Sequence, residues 1–455
     1  MIMTKRNNIV IAGIILVGAL LCSIGMRAQR IVTLEECVNS MRKGNIRATN
    51  ADKDVLMAEE FKKYARTKYF PTLSASAFHY EATDYMLRKE LLSGQWAELI
   101  DELNKEYGLG IDNSVQAFKR GTSAGISLVQ PIYVGGRISN VNKLADLQLD
   151  AMKLVKDVDD DLLVMEAELM YFTLLKLHGK KNMLAISDEE TASILKDARN
   201  LAQEGIVNSN DALNVELMRD QLKSQRLRLD NAIKLLRRGL AKAMGTPNED
   251  IDIDTTITQK GVVPPQTLWV NVETAVDNRN ESKLLDINVE RMQVQTKIAK
   301  ASYLPTLALG GNFGTSHYLS KMNTRGMAFA VFAMPLSTFW SERHMINRSK
   351  ISEQKAIDER RDKREMMDIQ VRDAYDNLTS AYDQLAIAQK SIARAEENLR
   401  IKHEEYINGV TNMTALLDAQ RQSLSARDAL SDALCDYHHA KTKYLIMTGR
   451  KELTY

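Results

Sequence analysis

Hydrophobic positions change their spacing twice within each half of the chain. Residues 34–66 read as one helix that ends before Pro71, whose ring pushes the preceding residue into β space. After the later proline, Pro305, the period becomes two. Leu307, Leu309, Gly311 and Phe313 alternate with Thr306, Ala308, Gly310 and Asn312, a strand with one polar face. A weaker alternation follows Leu73, Ala75 and Ala77, and a second strand is expected in each half. Ile126 and Leu128 alternate with Ser127 and Val129, and Met327–Met334 takes the corresponding place later. Pro131 and Pro335 are read as the ends of these strands.

The period then lengthens again. Val371, Leu378, Leu385, Ile392, Leu399 and Tyr406 fall at seven-residue steps, with Ala374, Ala381, Ala388 and Ala395 three residues after the first four. A stripe of large residues beside a stripe of alanines describes a seam between closely packed helices. Neither proline nor glycine interrupts Ser341–Tyr406. A helix of that extent reaches about 100 Å at 1.5 Å per residue. Glycine breaks the pattern at Gly409, as Gly205 does in the first half, and a second helix returns to Gly449 or Gly245. The prediction is two long antiparallel helical hairpins.

The halves are copies. Thr33–Leu73 superimposes on Thr267–Leu307 at an offset of 234, and "YFPTL" meets "YLPTL". Further on, Pro131, Gly205, Asn208, Leu213 and Gly245 match Pro335, Gly409, Asn412, Leu417 and Gly449 at an offset of 204. The first half therefore holds 30 more residues between Leu73 and Pro131, expected in an exposed loop. Repetition makes each half one structural unit. The boundaries read as a first repeat at 29–245 and a linker at 246–266. A second repeat at 267–449 and a tail at 450–455 complete the chain. Strands are expected at about 72–80, 122–131, 306–315 and 326–335, and long hairpins at 136–245 and 340–449.

Composition adds limits. The 61 basic and 59 acidic residues leave a net charge of +2, which favours neither nucleic acid nor an acidic partner. Lys5 and Arg6 precede an apolar run, Ile9–Leu21, and small residues follow, so residues 1–28 read as a secretory signal. Cys22 is assigned to that leader, because Leu20 and Leu21 stand where lipidation would need a small residue. Cys37 and Cys435 read as small buried apolar residues, with a disulfide as the alternative. No later stretch is apolar for long enough to span a bilayer as a helix, so a membrane crossing would need a closed β-barrel. Four strands cannot close a barrel; two chains would supply eight strands with a filled interior, and three, the better choice if the polar-facing residues line water, would supply twelve around a pore.

These segments resemble the TolC-type outer-membrane efflux protein family over essentially the whole mature chain. The resemblance rests on "VTLEEC" at Val32–Cys37, the paired "YFPTL" and "YLPTL", "VQPIYVGGR" at Val129–Arg137 and "YINGVTNMTALLDAQR" at Tyr406–Arg421. "MPLSTFWSER" departs from the glycine-rich turn usual after the second proline and puts that corner's geometry in question. The resemblance implies a mainly α fold with a β-barrel contribution: a homotrimer with one shared 12-stranded barrel in the outer membrane of a Gram-negative bacterium and an α-helical periplasmic tunnel. It implies a passive exit duct for efflux or type I secretion. The implied partners are a periplasmic adaptor and, through it, an inner-membrane transporter. Cargo choice would rest with that transporter.

Carried over by position, the adaptor-docking tips are Gly205, Ile206, Val207, Gly409, Val410 and Thr411. The plainer reading makes the two glycines helix C-caps, and both can hold. The periplasmic aperture is placed at Leu399 and His403, one helical turn apart, with Glu404 and Glu405 as substitutes. Alternatively, Leu399 belongs to the helix seam and His403 is solvated. No catalytic constellation, cofactor motif or metal-ligand spacing is found, and His438 and His439 point to different faces of a helix. Tyr69, Tyr133, Tyr303, Phe339 and Trp340, at strand ends, suit an interfacial aromatic girdle or plain packing. A periplasmic adaptor or a coiled-coil structural protein remains the alternative function; neither needs two duplicated strand pairs.

Overall fold

A computed structural model describes residues 30–107, 114–117, 119–255, 261–317, 322–334, 336 and 338–450. The expected leader, Cys22, Pro335 and the C-terminal tail lie outside these residues, as does the Phe339 side chain. The chain divides into two compact units. One holds Met57–Asp150 and Ile287–Asp358; the other holds the chain up to Leu56, Ala151–Asp286 and everything from Glu359.

The first of these contains a four-stranded antiparallel sheet built from β2 (Thr72–Glu81), β5 (Arg120–Val134), β7 (Thr306–His317) and β8 (Met322–Ala333), in the order β2-β5-β7-β8. Each repeat contributes one pair, and β5 joins the repeats by pairing with β7. Pro131 does not end its strand as expected. β5 continues to Val134 through an irregularity between Pro131 and Tyr133, where the lost ladder N–H is accommodated. The face bearing Leu73, Ile126, Leu309 and Phe313 is apolar and exposed. The opposite face bears Ser74, Ser127, Asn312 and Thr306.

The 30-residue insertion is more than a loop. β3 (Leu87–Glu90) pairs antiparallel with β4 (Ser114–Ala117), and α3 (Gln95–Tyr107) lies between them in sequence. Trp96 and Leu99 of that helix are exposed.

The second unit is helical. The expected 34–66 helix is two, α1 (Leu34–Gly44) and α2 (Ile46–Thr67), parted at Asn45, whose side chain donates to the Ala243 carbonyl at 3.0 Å. The break recurs in the second repeat at Arg279, between α6 (Val272–Asn278) and α7 (Asn280–Ala301). Each break sits against the glycine ending a long helix. A Cβ on Gly245 would overlap the Gly44 backbone, and one on Gly449 would come within 3.0 Å of Asn278.

The long helices are α4 (Arg137–Gln203), α5 (Ser209–Ala243), α8 (Thr338–Ile407) and α9 (Met413–Met447). Val371, Leu378 and Leu385 are buried together with Ala374 and Ala388, so the heptad stripe is a packed seam. The linker is more ordered than its composition suggested. β6 (Ile251–Ile253) pairs parallel with β1 (Arg30–Val32), and tyrosine hydroxyls pin the segment at both ends. Tyr171 donates to the Asp254 carbonyl at 2.8 Å, and Tyr437 donates to the Val263 carbonyl at 2.8 Å. Cys37 and Cys435 are free thiols, both pushed up to about 12 by burial. Among the described residues no helix is long and apolar enough to cross a membrane, which leaves open what the sheet does.

Candidate functional site: the hairpin tips and the contacts behind them

Both long hairpins turn the same way. Gly205 and Gly409 take φ of 72° and 70°, a left-handed conformation that fits glycine. The amide after each glycine bonds back five residues, Ile206 to Leu201 at 2.9 Å and Val410 to Glu405 at 2.8 Å, which closes a Schellman cap. Asn208 and Asn412 then cap the returning helices, accepting from the amides of Asn210 and Ala415. The sequence therefore folds each tip by local rules alone.

Ile206 and Val410 stand out from these turns, 58% and 74% exposed. Val207 and Thr411 are half-buried, and Val207 packs on a core that joins the two hairpins. That core gathers Ala198 and Leu195 of α4, Val215 of α5, Tyr406 of α8 and Leu416 of α9. Leu399 rests against it, the place its heptad position indicated. His403 is half-buried, and its Nε2 lies 3.0 Å from an Asp197 carboxylate oxygen on α4. Tyr406 is fully buried and donates to Asp211 at 3.2 Å, and burial pushes its phenol well above the ordinary range.

Further along, Glu190 of α4 accepts two hydrogen bonds from the Arg427 guanidinium of α9, at 3.2 and 3.0 Å, and another from Gln420 at 2.8 Å. Arg427 also donates to Glu396 of α8 at 3.1 Å. Beside this node, Asp188 takes Arg219 of α5 through two bonds at 3.0 and 3.2 Å. Asp197, Asp211, Glu190 and Arg427 escaped the sequence reading because the contacts they make between the two hairpins span 195 or more residues. A charge run on a long helix gives no sign of which charge faces another helix. Among the described residues no cluster of His, Cys, Asp and Glu could hold a metal ion.

The profile of the outer membrane efflux protein family matches residues 272–445, nearly the whole second repeat. The second repeat is similar to that family. No curated protein matches this chain in sequence. Among solved structures, CusC shares 14% identity over 94% of this chain and 96% of its own, with a TM-score of 0.76. The outer-membrane channel OprN shares 14% over 91% and 89%, with a TM-score of 0.75. VceC of Vibrio cholerae shares 13% over 92% and 96%, with a TM-score of 0.72. At such identities the likeness speaks for the fold, and it extends over both repeats, including the first, which the family profile does not cover.

Proposed function

We propose that three copies of this chain form one duct, the passive exit of a tripartite efflux or type I secretion system. The observation that supports it is the four-stranded sheet. Its β2 and β8 edges are unpaired among the described residues, and one face is apolar and exposed. Unpaired edges in lipid leave backbone groups unsatisfied at several kcal/mol each, so the strands must be pooled into a closed barrel. The polar face then lines the lumen, and exposed Tyr69, Tyr133 and Trp340 mark the membrane boundary.

Docking of a periplasmic adaptor falls to the turns at Gly205, Ile206 and Val207 and at Gly409, Val410 and Thr411. Two apolar knobs, Ile206 and Val410, on rigidly capped turns can seat between the turns of another helical hairpin. The aperture belongs to the turn of α8 that carries Leu399 and His403. These residues act there by fixing α8 against the first hairpin, through the shared core and Asp197. An adaptor that draws the tips apart would work against the His403–Asp197 and Tyr406–Asp211 contacts first.

Single-channel conductance of the detergent-purified mature protein in a planar bilayer, after mass determination by light scattering, tests this reading. A three-chain particle that conducts is expected. A single chain that stays soluble without detergent and never conducts would end it.

A further inference from the structure

The duplication extends to strand register. Within the first pair, Leu73 faces Leu128 and Ser76 faces Gly125. Shifting β2 by 234 and β5 by 204, the offsets that align the repeats, gives Leu307 facing Phe332 and Gly310 facing Phe329. Those are the pairs observed between β7 and β8. Two hairpins in different repeats thus share one register without slippage.

The same two shifts can be applied to the seam between the repeats. There Gly125 faces Gly314, Ser127 faces Asn312 and Val129 faces Gly310. The equivalent seam would join β8, the free edge of the second repeat, to a β2 whose chain is not this one, since β2 and β8 lie at opposite edges of the sheet. We infer that β8 pairs antiparallel with β2 of a second copy in this transferred register: Phe329 opposite Tyr80, Val331 opposite Phe78 and Ala333 opposite Ser76. The inference rests on the shared-barrel reading above and adds to it the register and the residues of the joint.

Side-chain size supports the assignment independently. On the polar face the inner strands are nearly bare: β5 presents Gly121, Ser123, Gly125 and Ser127, with Val129 the largest, and β7 presents Gly310, Asn312 and Gly314. On the same face the edge strands carry Phe78 and Tyr80 on β2 and Met327, Phe329 and Val331 on β8. Bulk therefore collects at the two free edges. Phe78 is 62% exposed although its ring stacks 5.9 Å from Tyr80. Phe329 lies over Gly310, where a Cβ would run into its ring. The transferred register sets these groups against each other, aromatic opposite aromatic and Phe78 opposite Val331, the cross-strand pairs that most stabilise antiparallel sheets. Inside one chain the backbone continuity holds the seam and glycine suffices. Between chains, side-chain contact has to hold it. Parity agrees as well: every transferred pair joins residues of the same face, as a one-residue slip would not.

Site-specific cross-linking tests the register in the full-length channel in its native membrane. Ser76→Cys with Ala333→Cys places two thiols directly opposite. Ser74→Cys or Phe78→Cys with the same Ala333→Cys places them about 6–7 Å out of step, too far for a disulfide. After mild oxidation the first variant should give at least about fivefold more covalent dimer and trimer than either slipped variant, because disulfide geometry tolerates little separation. Variants with only one of the introduced cysteines, which retain Cys37 and Cys435, should give none. A slipped variant that cross-links better overturns this register and leaves the three-chain duct standing. Absence of cross-linking in all three, with wild-type mass equal to three chains, overturns the β8–β2 joint itself. Absence of cross-linking with a wild-type mass of one chain overturns the shared barrel.

Discussion

Glu190 and Arg427, 237 residues apart in sequence, meet through two hydrogen bonds that tie the first helical hairpin to the second. The Arg427 side chain is only 12% exposed, and it reaches Glu396 as well, so three helices converge on one guanidinium. The planar fork suits this better than an ammonium would, since it can address two carboxylates with defined geometry.

Arg427→Gln leaves Glu190 and Glu396 without their shared cation. Helical stability should fall by about 2 kcal/mol, in the range expected for a broken, partly buried charged contact. Thermal loss of the helical circular dichroism signal reads this out. Single-channel conductance of the variant should rise at the same time, because the hairpins are less firmly held. A stable variant of unchanged conductance would remove the pair from any role in closure.

Ile206→Asp and Val410→Asp should leave the fold unaffected. Both side chains are exposed, and exposed substitutions usually stay within about 0.5 kcal/mol. Efflux should nevertheless be lost, measured as accumulation of a fluorescent efflux dye in cells carrying only the variant. Normal dye export by the double variant would mean that docking uses another surface.

His438 gives the helical unit an acid sensitivity. It is buried with its ring 4.4 Å from that of Phe172, and burial, reinforced by Lys441, pushes its imidazole down to about 4. The unfolded chain takes up a proton near pH 6.5 that the folded protein refuses until about pH 4. Stability is therefore full above 6.5 and declines as pH falls through that window, by up to about 3 kcal/mol. His438→Phe, which keeps the stack, should flatten the profile of melting temperature against pH between 6.5 and 4. An equal slope in both proteins would place the sensitivity elsewhere.

Two adjacent glycines separate strain from crowding. Gly135 and Gly136 have φ of 64° and 75°, so alanine at either costs the left-handed penalty of about 1 kcal/mol. Only at Gly135 would the added Cβ also crowd the Ala301 carbonyl at 2.7 Å and the Leu304 side chain at 2.9 Å. Gly135→Ala should cost about 3 kcal/mol in total and Gly136→Ala about 1 kcal/mol, compared as yields of folded oligomer. Equal yields would show that the corner can shift to admit the methyl.

Neighbours along the chain suffice for the corners, the main strands and the tips. Pro71 and Pro305 set the helix-to-strand corners, alternation around Leu307 and Ile126 set the strands, and Gly205 and Gly409 with Asn208 and Asn412 set the tips. Each follows from local backbone preference or from a repeating period, and the duplication made each reading twice. Heptad spacing likewise placed Leu378 and Leu399 in a seam. Tertiary structure alone decided what faced that seam. Whether His403 met solvent, a lumen or Asp197 depended on the azimuth of a helix 206 residues away in sequence, which no local period encodes. The breaks at Asn45 and Arg279 follow the same logic. Nothing in either segment forbids a continuous helix; each bend lies where the chain closely approaches Gly245 or Gly449. The β1–β6 pairing joins three residues at one end of the first repeat to three in the linker. Strands that short carry too little pattern to be seen until folding has brought them together.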